Sequence, residues 1–177
     1  MSKIRVATTW LDGCSGCHMS FLDMDERLVD IADKIDIVYG PLVDAKDIPD
    51  DIDVVLIEGA VSSAADTKMV QRLRERSRLL VSFGDCAVTA NVPAMRNRFS
   101  PAQVLERAYI ENATLNAQKP CEGIPPLLDQ ARPLHEFVDV DVFLPGCPPP
   151  VEAIVYMLQE LLEGRTPDLG EKSRFGA

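Results

Sequence analysis

The sequence predicts an α/β fold in which helices cover both faces of a parallel sheet. Short apolar segments alternate with segments that repeat apolar residues at helical spacing, an order typical of parallel sheets. One segment, Asp53–Gly59 (DVVLIEG), is a near-continuous apolar run, which suits a strand buried on both faces. The 177 residues can bury a sound core within one domain, and the chain contains no internal repeat.

Five strands are predicted from apolar runs that end at turn residues, at positions 3–9, 35–40, 53–59, 78–84 and 140–144. The first strand leads into a glycine-containing loop, the second ends before Pro41, and the fourth reads RLLVSFG. Helical spacing predicts four helices, at positions 18–32, 64–76, 101–110 and 149–162. The last helix begins with proline, which is tolerated there, and Gly164 suits its C-terminal end. This order indicates a flavodoxin-like, doubly wound sheet.

Residues 1–165 are expected to form this domain, and residues 166–177 are expected to form a C-terminal tail. Residues 113–133 are rich in Pro, Gly and Asn and have weak periodicity. A loop of that length in a compact domain is typically a binding surface, or is disordered when alone. Cys121 lies within it and follows no predicted strand.

Charge and composition exclude several classes of function. The formal net charge of −10 argues against nucleic acid and anionic membrane surfaces as partners. The first ten residues contain no apolar export segment, and the longest apolar runs are too short to cross a bilayer. A cytoplasmic protein is therefore expected. Thiols stay reduced in that compartment, so five cysteines suggest metal or redox chemistry rather than disulfides.

Four cysteines follow predicted strands. Cys14 and Cys17 lie after the first strand, Cys86 lies after the fourth, and Cys147 lies after the fifth. The carboxyl ends of parallel strands meet at one edge of the sheet, which is where open α/β folds bind ligands. Four cysteines that are distant in sequence can therefore converge on one point.

Four thiolates at one point favour an iron–sulfur cluster, because a cubane takes a cysteine at each corner. Glycines at 13 and 16 would allow the backbone to approach the sulfides and donate hydrogen bonds to them. A thioredoxin-like redox pair, a structural zinc site and unlinked buried thiols remain as alternatives. Cys121 is expected to be incidental, with replacement of Cys86 or Cys147 as a ligand as its alternative.

The motifs resemble those of a known family. They are WLDGCSGCHMSFLD, LIEGAV, SFGDCA and PGCPPPVEAI, and the likeness extends over roughly residues 3 to 163. The chain resembles the small subunits of nickel–iron hydrogenases and the related cluster-bearing subunit of respiratory complex I. Within that group it is most similar to the small (delta) subunit of the cytoplasmic NAD-reducing hydrogenases.

The resemblance implies that Cys14, Cys17, Cys86 and Cys147 ligate one proximal [4Fe–4S] cluster. This subunit would then pass electrons without being catalytic itself, in a hetero-oligomer. Its partners would be a large subunit with the Ni–Fe site and diaphorase subunits with further clusters, FMN and NAD. A cluster subunit of a complex-I-like, quinone-reducing complex is the alternative. FMN in this chain is a less favoured option, because the loop after the first strand carries cysteines.

Some positions depart from the family pattern or add to it. Met19 stands where many members have an acidic residue, and Ser15 with Gly16 separates two cysteines that are adjacent in complex I. The chain shows neither a twin-arginine signal nor a second cluster domain, so one cluster in a cytosolic enzyme is expected. Glu58 either orients a cysteine loop or contacts the large subunit, or only caps the next turn. His18 either contacts the cluster or a partner, or only begins a helix.

Overall fold

A computed structural model describes residues 3–176. Within that range the strands are β1 Ile4–Trp10, β2 Ile35–Tyr39, β3 Ile52–Glu58, β4 Val61–Ser63, β5 Ser77–Phe83, β6 Leu127–Arg132 and β7 Val142–Leu144. The α-helices are α1 Gly16–Leu22, α2 Glu26–Ala32, α3 Ala64–Arg76, α4 Asp85–Thr89, α5 Pro101–Glu106 and α6 Val151–Leu162. Shorter helical turns occupy Pro93–Arg98, Arg107–Glu111 and Leu134–Glu136.

Five parallel strands form the central sheet in the order β2-β1-β3-β5-β7. Counted along the chain among themselves, these strands stand in the order 2-1-3-4-5, which is the flavodoxin-like order. The predicted fold class is therefore confirmed. The direction of winding changes between β1 and β3, so the loops that follow these two strands lie side by side at the carboxyl edge.

The sheet is buried on both faces because its central strands are apolar at successive positions. Leu56 faces a core layer that contains Phe83 and the α6 residues Ile154 and Met157. On the opposite face, Val55 and Ile57 pack in a layer with residues of α3. Ser63 and Asp66 cap the start of α3 reciprocally, which explains why this helix begins where the sequence predicts it.

Three local predictions were wrong. The helix expected at 18–32 is two helices, because Asp25 has a left-handed backbone (φ 50°) between them. The residues around Cys86 form the short helix α4, which was not predicted. The segment 113–133 is not irregular throughout, since β6 forms there and pairs antiparallel with β4. This pairing joins two short strands that are distant in sequence, so local periodicity could not reveal it.

The chain after α6 returns to the carboxyl edge of the sheet. Leu169 is buried in the α6-side core layer, the Ser173 hydroxyl donates to the Pro145 carbonyl, and the Gly176 amide donates to an Asp85 carboxylate oxygen at 2.7 Å. The boundary at residue 165 remains a prediction. None of the helices in residues 3–176 combines the length and the apolar character that a membrane span needs.

Candidate functional site

The four cysteines that follow parallel strands line one small cavity at the carboxyl edge of the sheet. Cys14, Cys17, Cys86 and Cys147 share it with two acidic residues. Its full lining is Cys14, Gly16, Cys17, Glu58, Asp85, Cys86, Gly146, Cys147 and Pro148. Cys121 is exposed and does not line it. The convergence expected from strand order is therefore present in the structure.

The loop after β1 is held against the loop after β3. Asp12 and Ala60 exchange backbone hydrogen bonds. Gly59 has φ +90°, and a Cβ there would lie 2.9 Å from the Asp12 carbonyl oxygen, so only glycine fits this crossing. Gly16 then begins α1, where a Cβ would lie 3.2 Å from the Cys14 sulfur. Small residues thus allow the backbone to pass close to the first two cysteines.

Glu58 at the end of β3 organises the start of α1. Its buried carboxylate accepts hydrogen bonds from the backbone amides of Cys17 (3.3 Å) and His18 (3.0 Å). It also contacts the Nδ1 atom of His18 at 2.5 Å. Among the interpretations of Glu58, the structure supports orientation of the cysteine-bearing segment, because both amides lie in the first turn of α1, which carries Cys17.

His18 lies beneath the loop rather than at its surface. Its ring packs edge-on against Trp10, with centroids 5.3 Å apart, and against Phe83 at 6.1 Å. The Nε2 atom is buried and has no hydrogen-bond partner among residues 3–176. The side chain therefore contacts Glu58 through Nδ1, whereas its other ring nitrogen makes no hydrogen bond within the described residues.

The turn after β5 brings Cys86 close to Cys17. Gly84 has φ 84° and ψ 164°, a conformation that is essentially restricted to glycine. A Cβ at Gly84 would lie 2.1 Å from the Cys17 sulfur. Helix α4 begins immediately afterwards, and Cys86 lies buried in its first turn. The missing side chain at 84 is thus what leaves room for the Cys17 thiol.

The turn after β7 presents Cys147. Gly146 has φ +132°, and a Cβ there would lie 2.5 Å from the Cα of Pro149. The Cys147–Pro148 peptide bond is cis. The Ser20 hydroxyl donates to the Pro149 carbonyl at 2.6 Å, which joins α1 to this loop. Asp85 bonds the same loop, because its carboxylate accepts from the Gly146 amide at 2.6 Å.

Burial raises the pKa of the Cys17 thiol strongly, and the nearby Glu58 and other cysteines raise it further. Burial also raises the pKa of Cys86, although a hydrogen bond with the Val92 backbone lowers it in part. Thioredoxin-like nucleophiles require the opposite, a lowered pKa that yields a thiolate near neutral pH. Neither thiol therefore has the activated character of a redox nucleophile, and a bound cation would favour the thiolate form of each.

The donor set fits a cluster with several irons. Four thiols line a common cavity, while both lining carboxylates already accept hydrogen bonds from backbone amides. In the described part of the chain, no three His, Cys, Asp or Glu side chains come close enough to hold one metal ion. Thiolates at separate corners of a cubane are the arrangement that iron–sulfur clusters take.

Sequence reasoning missed three contributors to this site. In sequence Asp85 looks like an ordinary turn residue, whereas the structure shows it bonded to the Cys147 loop. Ser20 and Gly84 were not identified. Asp85 and Gly84 could have been identified from the sequence, because they are the two residues between a buried strand and Cys86. Ser20 had none, because its partner is a distant carbonyl.

A family comparison matches most of this chain. The profile described as "NADH ubiquinone oxidoreductase, 20 Kd subunit" matches residues 14–161, which include all four cavity cysteines. The NAD-reducing hydrogenase HoxS subunit delta of Cupriavidus necator is 42% identical over 172 residues, covering 94% of this chain and 82% of that protein.

A second relative and a solved structure point to the same family. A subunit of the F420-non-reducing hydrogenase (vhu) of Methanocaldococcus jannaschii is 36% identical over 96% of this chain, which spans only 59% of that relative's length. A solved chain of an NAD+-reducing [NiFe]-hydrogenase in the H2-reduced state superposes with a TM-score of 0.94, at 38% identity, covering 98% of this chain and 99% of that one. The resemblance drawn from the motifs is confirmed: the chain belongs to the family of the NADH ubiquinone oxidoreductase 20 Kd subunit, which also includes the small subunits of nickel–iron hydrogenases.

Proposed function

We propose that this chain is the electron-transfer small subunit of an NAD-reducing nickel–iron hydrogenase. Cys14, Cys17, Cys86 and Cys147 would hold one [4Fe–4S] cluster, which supplies one-electron transfer when bound. The observation that carries the proposal is the convergence of four thiols from three loops on one cavity. The likeness to the delta subunit of an NAD-reducing hydrogenase favours this enzyme over other complexes that contain a cluster subunit of the same family.

The chain's own residues prepare the cavity for a cluster. Glu58 holds the Cys17 amide, Gly84 leaves space for the Cys17 sulfur, and Asp85 ties the Cys86 and Cys147 turns together. Burial on the Cys17 and Cys86 side of the cavity lowers the local dielectric, so hydrogen bonds and charges there act strongly on the cluster potential. No side chain here has to act as acid, base or nucleophile.

A large subunit bearing the Ni–Fe site would cover the cavity, and diaphorase subunits with further clusters, FMN and NAD would accept the electrons. Support comes from three exposed apolar side chains that lie close in sequence to Cys14 and Cys17, namely Trp10, Met19 and Leu22, which are 40% to 58% exposed. Exposed apolar side chains in a group are typical of protein contacts. A cytoplasmic location is part of the same proposal.

The second candidate is a cluster subunit of a complex-I-like, quinone-reducing complex, favoured by the description of the matching family. FMN bound to this chain remains the less favoured option. The cavity, of about 50 Å³, is far smaller than the roughly 300 to 1,000 Å³ typical of sites for organic ligands, which disfavours a flavin there.

Metal analysis with low-temperature EPR on the anaerobically purified complex tests these proposals. About four irons attributable to this chain, a reduced-cluster signal and nickel in a co-purifying subunit are expected. Replacing Cys147 with serine should lose or convert the cluster, whereas Cys121→Ser, the matched control, should leave it intact. Zinc without iron would refute the cluster, and iron without nickel would favour the complex-I-like candidate.

A further inference from the structure

Asp85 is a buried carboxylate whose hydrogen bonds join two of the cysteine-bearing turns. It is 1% exposed, and its Oδ1 atom accepts from the Gly146 amide at 2.6 Å. Its own backbone amide donates to the Gly146 carbonyl at 2.9 Å. Each bonded residue directly precedes a cysteine, Cys86 in one turn and Cys147 in the other. This reciprocal pair therefore sets the distance between the two backbones that carry these cysteines.

The other carboxylate oxygen of Asp85 is bound from a third direction. The Gly176 amide donates to Oδ2 at 2.7 Å. In the same segment, the Ser173 hydroxyl donates to the carbonyl of Pro145, beside Gly146. Leu169 anchors this segment in the core. The segment 169–176 is thus attached to both turns, and the two carboxylate oxygens of Asp85 are bound by the Gly146 amide and the Gly176 amide.

We propose that Asp85 is a positioning residue that fixes the separation of Cys86 and Cys147 and so controls how firmly the cluster is held. This inference rests on the proposed function, because it concerns a cluster on the same cysteines. A carboxylate suits the role, since its two oxygens can accept from two backbone amides at once and charge-assisted bonds of this kind are short and strong. Alanine would leave the Gly146 and Gly176 amides without this acceptor, and the two turns could then separate.

A purely structural role for Asp85 makes a different prediction. Loss of fold stability alone would lower the melting temperature of the complex while leaving the cluster's spectrum unchanged. Loss of positioning would alter the sulfur–iron geometry, which the EPR line shape of the reduced cluster reports directly. It would also speed the loss of iron, because two of the four ligands would no longer be held at matched positions.

The test compares Asp85→Ala and Asp85→Asn with the matched control Asp36→Asn, an exposed carboxylate on the edge strand β2. For each anaerobically purified complex, EPR of the reduced cluster, the rate of iron release to a chelator and the melting temperature are measured. Asp85→Ala should release iron about tenfold faster or more, because the Gly146 and Gly176 amides lose a charged acceptor that holds the two turns together. Asp85→Asn keeps one acceptor and should be intermediate, and Asp36→Asn should match the wild type.

An unchanged EPR spectrum and iron-release rate in Asp85→Ala would overturn the proposal, whatever happened to its melting temperature. If that variant does not accumulate, Asp85→Asn decides in the same way, because it preserves the shape of the side chain. A wild-type complex without iron would refute the cluster itself. That result is distinguishable, since the Asp36→Asn control would then lack iron as well.

Discussion

Gly84→Ala should both destabilise the chain and displace a cysteine of the cavity. The backbone at 84 lies in a region that is essentially restricted to glycine, and occupying it with another residue costs about 1–3 kcal/mol. The new Cβ would also lie 2.1 Å from the Cys17 sulfur. Overpacking of this kind costs about 1–3 kcal/mol, so the expected loss is about 2–6 kcal/mol.

Gly164→Ala is the matched control. Gly164 also has a positive φ, of +72°, but a Cβ there would meet nothing within 4 Å. Its substitution should cost only the strain of the left-handed conformation, about 1–2 kcal/mol, and should leave the cluster unchanged. Both variants place alanine at a positive φ, but only Gly84→Ala adds a contact with the Cys17 sulfur.

The assay combines the melting temperature of the purified complex with iron content and EPR. In a chain of this size, each kcal/mol lowers the melting temperature by roughly 2–4 °C. Gly84→Ala should melt lower than Gly164→Ala and should hold less iron. Equal melting temperatures and equal iron content in the two variants would refute the reasoning, because they would mean that the Cys17 sulfur does not need the space at 84.

Four further outcomes are expected. Glu58→Ala should destabilise the chain by about 3 kcal/mol or more, since it leaves buried amides without an acceptor, and should broaden or remove the reduced-cluster EPR signal. Ser20→Ala should lower stability by about 0.5–1.5 kcal/mol in denaturant unfolding, without loss of iron. In iron-free protein, iodoacetamide should modify Cys17 and Cys86 more slowly than Cys121 at neutral pH, as mass spectrometry can measure. Because the pKa values of Cys17 and Cys86 are raised, the free energy of unfolding of the iron-free protein should keep its full contribution from these thiols below their ordinary pKa of 9.0. That contribution should be lost as the pH rises above this value, as denaturant unfolding at several pH values can measure.

The sheet was predictable because strands buried on both faces leave a strong signal in the sequence. The run Asp53–Gly59 could be recognised by composition alone, and the observed strand β3, Ile52–Glu58, differs by one residue at each end. This strand and the four strands parallel to it form one sheet, and the loops after parallel strands meet at the same edge. The cysteines in those loops therefore lie at that edge. The convergence of Cys86 with Cys14 is thus a consequence of topology, and required no knowledge of side-chain contacts.

The hydrogen bonds that support the cavity were not predictable in the same way. Glu58 could be singled out because a buried strand rarely ends in an unpaired acid, yet its partners are amides 40 and 41 residues away. Asp85 looks in sequence like any aspartate in a turn, and its partner amide at Gly146 is 61 residues away. Such pairs depend on how two loops approach one another, which periodicity does not encode.

This difference has a physical basis that bears on the function. Cluster ligands must be cysteines, so their chemistry is visible in the sequence. The residues that hold the ligands use backbone amides and carbonyls, which every residue possesses, and any acid of suitable length can accept from them. Specificity at Asp85 therefore comes from position alone. With Asp85 as a positioning residue, the durability of the cluster depends on a residue of a common turn type whose placement between two cysteine-bearing turns is specific.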